Sequence, residues 1–382
     1  MTSSRSTRLV ALLCLGMLAA GVTAFTQQEP RPLGPLVLPS GFRSEIFAEK
    51  VQNARSMALG AQGTVSVGSQ YARSVYALVD ANGDHKADRV VVASGLDQPN
   101  GVAIRNGALY VATASRLLRF DDIDKNLDAP PAPVTLRSDL PNPKAGHTWK
   151  YIAFGPDDML YMSVGSTCNV CLPQPMTASI IRMKPDGTGQ EVYAEGVRNT
   201  VGFAWHPVTR ELWFTDNGRD NLGDDVPNDE LNVAPKAGLH FGFPFCHQGD
   251  VSDPEFGAQR ACATTEAPVA KLGPHVAAIG FKFYTGNMFP AQYKNAAIIA
   301  LHGSWNRSTP NGYRVMAAYT DGRRVTSYEP LVDGFLPKGA AGGRGAGMAA
   351  TGRPADVLQL PDGSILVTDD VGHRLIRISY SR

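Results

Sequence analysis

His147 stands in Lys144-Ala145-Gly146-His147-Thr148-Trp149-Lys150, just ahead of an apolar stretch. A neutral imidazole there can take a proton from a substrate hydroxyl, although backbone groups alone can also satisfy a loop histidine. Arg198-Asn199 opens a later segment. Its guanidinium offers a planar fork for a carboxylate and its amide a partner for a carbonyl, unless the pair is a solvated turn. From Asp216 to Glu230 the chain carries six carboxylates in fifteen residues. That oxygen density suits Ca²⁺, with Asp220, Asp224 and Glu230 among the candidate ligands, and a plain acidic loop is the alternative. His302-Gly303-Ser304-Trp305-Asn306-Arg307 and Arg353-Pro354-Ala355-Asp356 complete the set. If Arg198, Arg307 and Arg353 all point to one place, they call for a polyanionic ligand, because unpaired buried like charges are costly.

Loops of this kind need a scaffold that brings them together, and the sequence contains one. Six segments repeat a pattern of apolar strand, tight polar turn and second apolar strand. They start at Met57, Val102, Ile152, Gly202, Phe281 and Val357, and their second strands start at Val65, Leu109, Leu160, Leu212, Ile298 and Ile365. Several add a third strand, as in Leu117–Phe120, Ile180–Met183 and Leu375–Ile378. The turns Asn106-Gly107, Pro156-Asp157-Asp158 and Pro361-Asp362-Gly363 have hairpin chemistry. A period of about 45–50 residues with several short strands per unit marks propeller blades. The expectation is an all-β, six-bladed propeller over residues 36–382, with about four antiparallel strands per blade. Insertions are expected within 216–280 and 319–354, and a pair of β-sandwiches is the alternative. Ligands of a propeller sit on the axis, where these loops converge.

Composition agrees. The 382 residues include 39 Gly and 27 Pro, are 43% hydrophobic and 19% charged, and carry a net charge of +1. This excludes a disordered chain and gives no basic surface for nucleic acid. Arg5 and Arg8, the apolar run Leu9–Ala20 and Val22-Thr23-Ala24 have the layout of a secretory signal peptide over residues 1–24, followed by a short linker, 25–35. The run is short for a membrane anchor, and Leu13 before Cys14 is a poor lipidation signal, so a periplasmic or secreted protein is expected. Four cysteines remain. Cys168–Cys171 with Cys246–Cys262 is the economical disulfide pairing, though three pairings exist and a zinc site is a further alternative. Asp80–Asp88 is similar to the start of a Ca²⁺ loop, but His85 replaces a Gly and Val91 a Glu, so a polar turn competes. Gly345-Ala346-Gly347-Met348-Ala349-Ala350 fits a dinucleotide fingerprint by letters only. With Thr351-Gly352-Arg353-Pro354 following at once, residues 339–352 read as a loop.

Taken in order, the residues resemble the soluble quinone-dependent sugar dehydrogenases, the glucose/sorbosone dehydrogenase family. The likeness rests on Leu38-Pro39-Ser40-Gly41-Phe42, His147 ahead of Ala153-Phe154-Gly155-Pro156-Asp157, Arg198-Asn199 with Gly202, and Asp216-Asn217-Gly218 followed by Asp229-Glu230-Leu231-Asn232. Gly238 through Pro244 and His302–Arg307 extend it, the last resembling the sorbosone branch. The resemblance spans roughly residues 36–380. It implies a six-bladed propeller that oxidises an aldose or related aldehyde at C1, with pyrroloquinoline quinone (PQQ) and Ca²⁺ as cofactors. It makes His147 the general base, places Arg198 and Asn199 on the quinone's polar edge, and gives Arg353 a cofactor carboxylate. The carbonyls of Gly218 and Arg219 would ligate Ca²⁺. The glucose-oxidising branch has a Lys where Asn306 or Arg307 falls here, a second Arg where Ala355 stands, and a small hydroxyl residue in place of His275. Electrons would leave to a separate acceptor, since no haem motif is present. A Ca²⁺-dependent lactonase and a non-catalytic ligand-binding propeller are the competing readings.

Overall fold

The computed structural model describes residues 29–142 and 146–381; the signal segment 1–24 lies outside them. Among the described residues, six small sheets, antiparallel in their four main strands, form the body of the molecule, and a two-stranded sheet, Cys246–His247 with Val251–Ser252, lies in an insertion. The first contains Ala54–Leu59, Val65–Ser69, Val75–Val79 and Asp88–Ala93, and the second Gly101–Arg105, Ala108–Ala112, Leu117–Phe120 and Val134–Arg137. The third contains Ile152–Phe154, Leu160–Val164, Ser179–Met183 and Glu191–Glu195, and the fourth Phe203–Trp205, Leu212–Asp216, Asn228–Ala234 and Ala270–Pro274. Ala278–Phe283, Ala297–Leu301, Arg314–Thr320 and Val325–Val332 make the fifth. The sixth joins Pro354–Gln359, Ile365–Asp369 and Arg374–Tyr380 to Phe42–Ala48 from the other end of the chain. The first strand of each sheet is innermost; neighbouring innermost strands touch, except that the third and fourth blades meet through side chains, Tyr151 on Phe203 and Tyr161 on Trp205, which closes the ring. The six-bladed propeller is therefore present.

Blade stacking explains the sequence pattern. Each second strand is covered on both faces, so Val65–Ser69, Ala108–Ala112, Leu160–Val164, Leu212–Asp216, Ala297–Leu301 and Ile365–Asp369 are buried throughout. Aromatic side chains fill the gaps between blades, as where Tyr161 of the third blade meets Trp205 of the fourth edge-on, 4.9 Å between ring centres. Burying one such side chain is worth roughly 1.5–3 kcal/mol. The fourth strands face water and are more polar. Asn106 and Gly107 both have positive φ, 51° and 78°, as the two-residue hairpin there requires. At the ring's centre Gly202 and Gly280 have no room for a Cβ, because the backbone of the neighbouring blade lies against them.

Disulfides Cys168–Cys171 and Cys246–Cys262 form as paired from the sequence. The second pins an insertion between Ala234 and Ala270, within which Leu239–His240 adds to the edge of the third blade. One reading is corrected: Arg344–Ala349 is a six-residue helix, not a loop. Its last carbonyls are satisfied from outside, because Arg31 Nη1 donates to the carbonyls of Gly347, Met348 and Ala350 at 2.6, 3.1 and 2.9 Å. Asp80–Asp88 is a polar turn in which the Asp80 carboxylate accepts the amides of Gly83 and His85. Among the described residues, no helix is long and apolar enough to cross a membrane.

Candidate active site

In an antiparallel blade, the loop entering the innermost strand and the loop leaving the second strand open at the same end. These loops, from every blade but the second, line an axial cavity of about 490 Å³. A larger concavity of about 690 Å³ sits on the outer rim, lined by Gly286–Ala291, Lys294 and Tyr380. Lys294 is tied there to the Thr285 carbonyl, so the axial cavity holds the chemistry.

The fourth and sixth blades use one device to place their arginines. Asp216, ending a second strand, accepts the backbone amides of Arg198 (2.8 Å) and Asn199 (2.6 Å). Asp369, at the matching position, accepts the amides of Arg353 (2.8 Å) and Gly372 (2.9 Å). Each carboxylate thus fixes the loop that enters its own blade. Arg198 reaches the Asp220 carboxylate at 3.1 Å and the Asn217 carbonyl at 3.0 Å. Arg353 has no carboxylate partner: its guanidinium donates to the carbonyls of His302 (3.0 Å) and Gly303 (2.8 Å) and lies over the Tyr313 ring. Burial pulls both guanidinium groups below their ordinary range.

His147 donates from Nδ1 to the Ser166 carbonyl at 3.1 Å, which leaves the Nε2 lone pair available in the neutral tautomer. Burial, reinforced by the charge on Arg198, lowers its pKa to about 3. Across the cavity, His302 donates to Asp370 at 3.0 Å, and Arg55 reaches the same oxygen at 2.9 Å. Burial and the nearby Arg353 lower His302 to about 4, and the His302 contact, with the charges on Arg55 and Arg353, holds Asp370 well below the carboxylate range despite its burial. His275 donates to the Gly223 carbonyl at 2.8 Å, and Asn306 donates to Asp220 at 2.7 Å. His275 and Ala277 hold φ of 55° and 53°, a strained backbone on the cavity wall. Tyr71 and Trp305, 68% and 46% exposed, stand at the mouth.

The floor is apolar. Val201, Ile279 and Ala355 pack together with Trp149, and because they come from four blades they meet on the axis. Deeper in the ring, Lys282 of the fifth blade donates to the Tyr151 hydroxyl of the third, with Asp356 of the sixth nearby.

Of the residues singled out from sequence, His147, Arg198, Asn199, Gly218, Asp220, His275, Asn306 and Arg353 line this cavity. Four others do not. The Arg219 side chain pairs with Asp253 in the disulfide-pinned insertion. Asp224 bonds Ser308 at the surface. Glu230 lies behind the wall, accepting from Asn232 (2.9 Å) and the Gln248 amide (2.6 Å). Arg307 turns outward to the Asp224 carbonyl and Asp225, so the third axial cation is Arg55 rather than Arg307. Arg55, Trp149, His302 and Asp370 were not assigned from sequence. Asp370 had a signal: Val367-Thr368-Asp369-Asp370 repeats Phe214-Thr215-Asp216-Asn217 at the same point of another blade.

The cavity suits an anionic, polar-edged ligand. Among the described residues no carboxylate contacts the Arg353 guanidinium, which feels only the charge of Asp370, and the buried oxygens Asn199 Oδ1, Asn306 Oδ1 and Asp370 Oδ1 are without partners. The carbonyls of Gly218 and Arg219 accept no hydrogen bond among the described residues, which leaves two hard oxygen donors of the type Ca²⁺ uses. Among those residues no group of three or more His, Cys, Asp or Glu is arranged to hold a metal, so a cation here would rest mainly on backbone oxygen.

Residues 132–306 match the glucose/sorbosone dehydrogenase family. An uncharacterized protein of Borreliella burgdorferi is 31% identical over 360 residues, 91% of each chain. The holo form of the pyranose dehydrogenase PQQ domain from Coprinopsis cinerea superposes with a TM-score of 0.77 at 20% identity, covering 92% of this chain and 98% of that one. The PQQ-bound aldose sugar dehydrogenase of Streptomyces coelicolor gives 0.63 at 20% identity, covering 90% and 100%. At these identities the two structures establish the shared fold.

Proposed function

The chain belongs to the glucose/sorbosone dehydrogenase family, and from that premise we propose that it oxidises an aldose or sugar aldehyde at C1 with PQQ and Ca²⁺. The observation that carries the reading is the convergence of a neutral, Nε2-open His147 with Arg198 and the anion-free Arg353 on one cavity. When bound, PQQ would supply the hydride acceptor, its polarity raised by Ca²⁺ acting as a Lewis acid. Arg353 and Arg198 would hold carboxylates, and Asn199 and Asn306 would meet the polar edge through their unpartnered oxygens. Ca²⁺ would rest on the carbonyls of Gly218 and Arg219, with Asp220 alongside.

His147 Nε2 takes the proton of the substrate hydroxyl as the C1 hydride leaves, so a hemiacetal carbon becomes a lactone carbonyl. An anion on Arg198 removes one of the two causes that depress His147, which strengthens the base once the site is loaded. The apolar floor and Trp149 keep bulk water from the bottom of the cavity. The two disulfides support an oxidising location outside the cytoplasm, with electrons passing on to a separate acceptor.

Dye-linked oxidation of a panel of aldoses and sugar aldehydes, with and without PQQ and Ca²⁺, tests this. Activity should need both additions and fall at least about 10²-fold in His147→Ala, with PQQ affinity retained. A folded protein that reduces no dye but hydrolyses lactones with Ca²⁺ alone would overturn it.

A further inference from the structure

The Cys168–Cys171 loop touches the cavity through one side chain that the sequence reading left unassigned. Asn169 makes four hydrogen bonds, all to two cavity residues. Its carbonyl accepts Arg198 Nε at 2.9 Å, and its Oδ1 accepts Arg198 Nη2 at 2.8 Å. The same Oδ1 accepts the Asp220 backbone amide at 2.8 Å, and its Nδ2 donates to the Asp220 carbonyl at 3.1 Å. The loop begins at Ser166, whose carbonyl orients His147, and the Ser166 hydroxyl in turn donates to the Cys168 carbonyl at 2.5 Å. Three candidate functional residues from three loops are therefore held by one six-residue stretch, Ser166–Cys171, whose bridge flanks Asn169. Both cysteines of this bridge are half-buried, as is Cys262 of the other bridge, whose partner Cys246 is 2% exposed.

We propose that Asn169 is a positioning residue, held in place by the Cys168–Cys171 bridge, which sets the Arg198 guanidinium and the Asp220 turn for an anionic cofactor. It touches neither substrate nor cofactor and acts through Arg198 and Asp220. The proposal rests on the function proposed above for its ligand, and on the hydrogen-bond geometry alone for the clamp. A free chain of three bonds between two cysteines samples many conformers; closing it removes most of them, so the side-chain amide is presented ready-made. A planar amide that grips guanidinium and backbone at once also fixes the angle of the fork, which a single carboxylate contact leaves free.

The test separates the clamp from the reading it serves. Hydrogen–deuterium exchange on the ligand-free protein follows the Asp220 amide, whose acceptor is Asn169 Oδ1. PQQ affinity, measured by tryptophan fluorescence in Ca²⁺, follows the consequence. Reduction with dithiothreitol, followed by alkylation of the freed thiols and removal of the reductant before PQQ is added, should speed Asp220 exchange and weaken PQQ binding by about tenfold, the loss of one or two charge-assisted hydrogen bonds. Asn169→Ala should do the same and should then be indifferent to dithiothreitol, since bridge and amide act in series. A Cys246→Ser/Cys262→Ser variant should keep the full response, and Asn169→Asp, which retains the acceptor for Arg198, should recover part of the affinity. Unchanged Asp220 exchange on reduction, or a dithiothreitol response that survives in Asn169→Ala, overturns the clamp. Faster exchange in a wild-type protein that binds no PQQ supports the clamp and overturns the cofactor reading.

Discussion

Replacing Arg353 by Met separates what the folded chain needs from what a ligand needs. The guanidinium is largely buried and makes two hydrogen bonds to carbonyls, of His302 and Gly303, with no carboxylate against it. Losing those bonds costs about 1–3 kcal/mol, and removing a buried cation that only the charge of Asp370 offsets, without contact, returns a comparable amount. The ligand-free protein should therefore melt within about 1–2 °C of wild type. Ligand binding should change far more. An arginine–carboxylate contact in a desolvated site is worth about 3 kcal/mol, or roughly 10²-fold in Kd. At PQQ concentrations 100 times the wild-type Kd, linkage stabilises the wild type by about 2.7 kcal/mol and the variant by about 0.4 kcal/mol. For a chain of this length that is about 4 °C against less than 1 °C. Thermal unfolding with and without PQQ and Ca²⁺ measures both. A large loss of stability without ligand, together with an unchanged PQQ shift, would falsify the assignment and make Arg353 a structural residue.

Glu230 gives a pH signature. Burial and the neighbouring Asp216 push it up to about 8 from an ordinary 4.5. Its stabilising contribution is fully present below about pH 4.5 and is lost as pH rises toward 8, because the unfolded chain gives up the proton first. Glu230→Gln keeps the neutral form, so urea midpoints should rise at pH 8, by on the order of 2–4 kcal/mol, and the slope between pH 5 and 8 should flatten; an unchanged slope refutes the placement. Lys282→Met removes the ammonium beside Asp356 and leaves the Tyr151 hydroxyl unpaired. It should cost roughly 3 kcal/mol in chemical denaturation while leaving PQQ affinity within about twofold, and an unaltered midpoint would show that the link bears no stability.

What the sequence reveals follows from where burial is symmetric. Innermost and second strands lie between blades, so Leu160–Val164 or Ile365–Asp369 announces itself as an apolar run. Val134–Arg137 faces water and carries no such mark. Phe42–Ala48 is harder still, since its partner lies more than 300 residues away and pairing at that range leaves no local pattern. The site divides the same way. His147, Arg198 and Arg353 are polar residues next to apolar strands, where a repeat makes them conspicuous. Arg55 lies in the buried first four residues of its strand, and its ion pair to Asp370 and its bond to Asn100 explain it. Asn169 is invisible one residue at a time, because its role resides in two partners 29 and 51 residues downstream.

The apolar floor at Val201, Ile279 and Ala355, with Lys282 reaching Tyr151 below it, makes the axial cavity a cup rather than a tunnel. A cup has one door. Whatever enters between Tyr71 and Trp305 must leave by the same route before the next visitor reaches the bottom. On the proposed function, traffic through the site would be sequential, first the molecule that gives electrons and then any small molecule that collects them, each excluding the other. Such an alternation makes crowding at the doorway self-inhibiting: an excess of either visitor holds the cup in the state that the other needs to find empty.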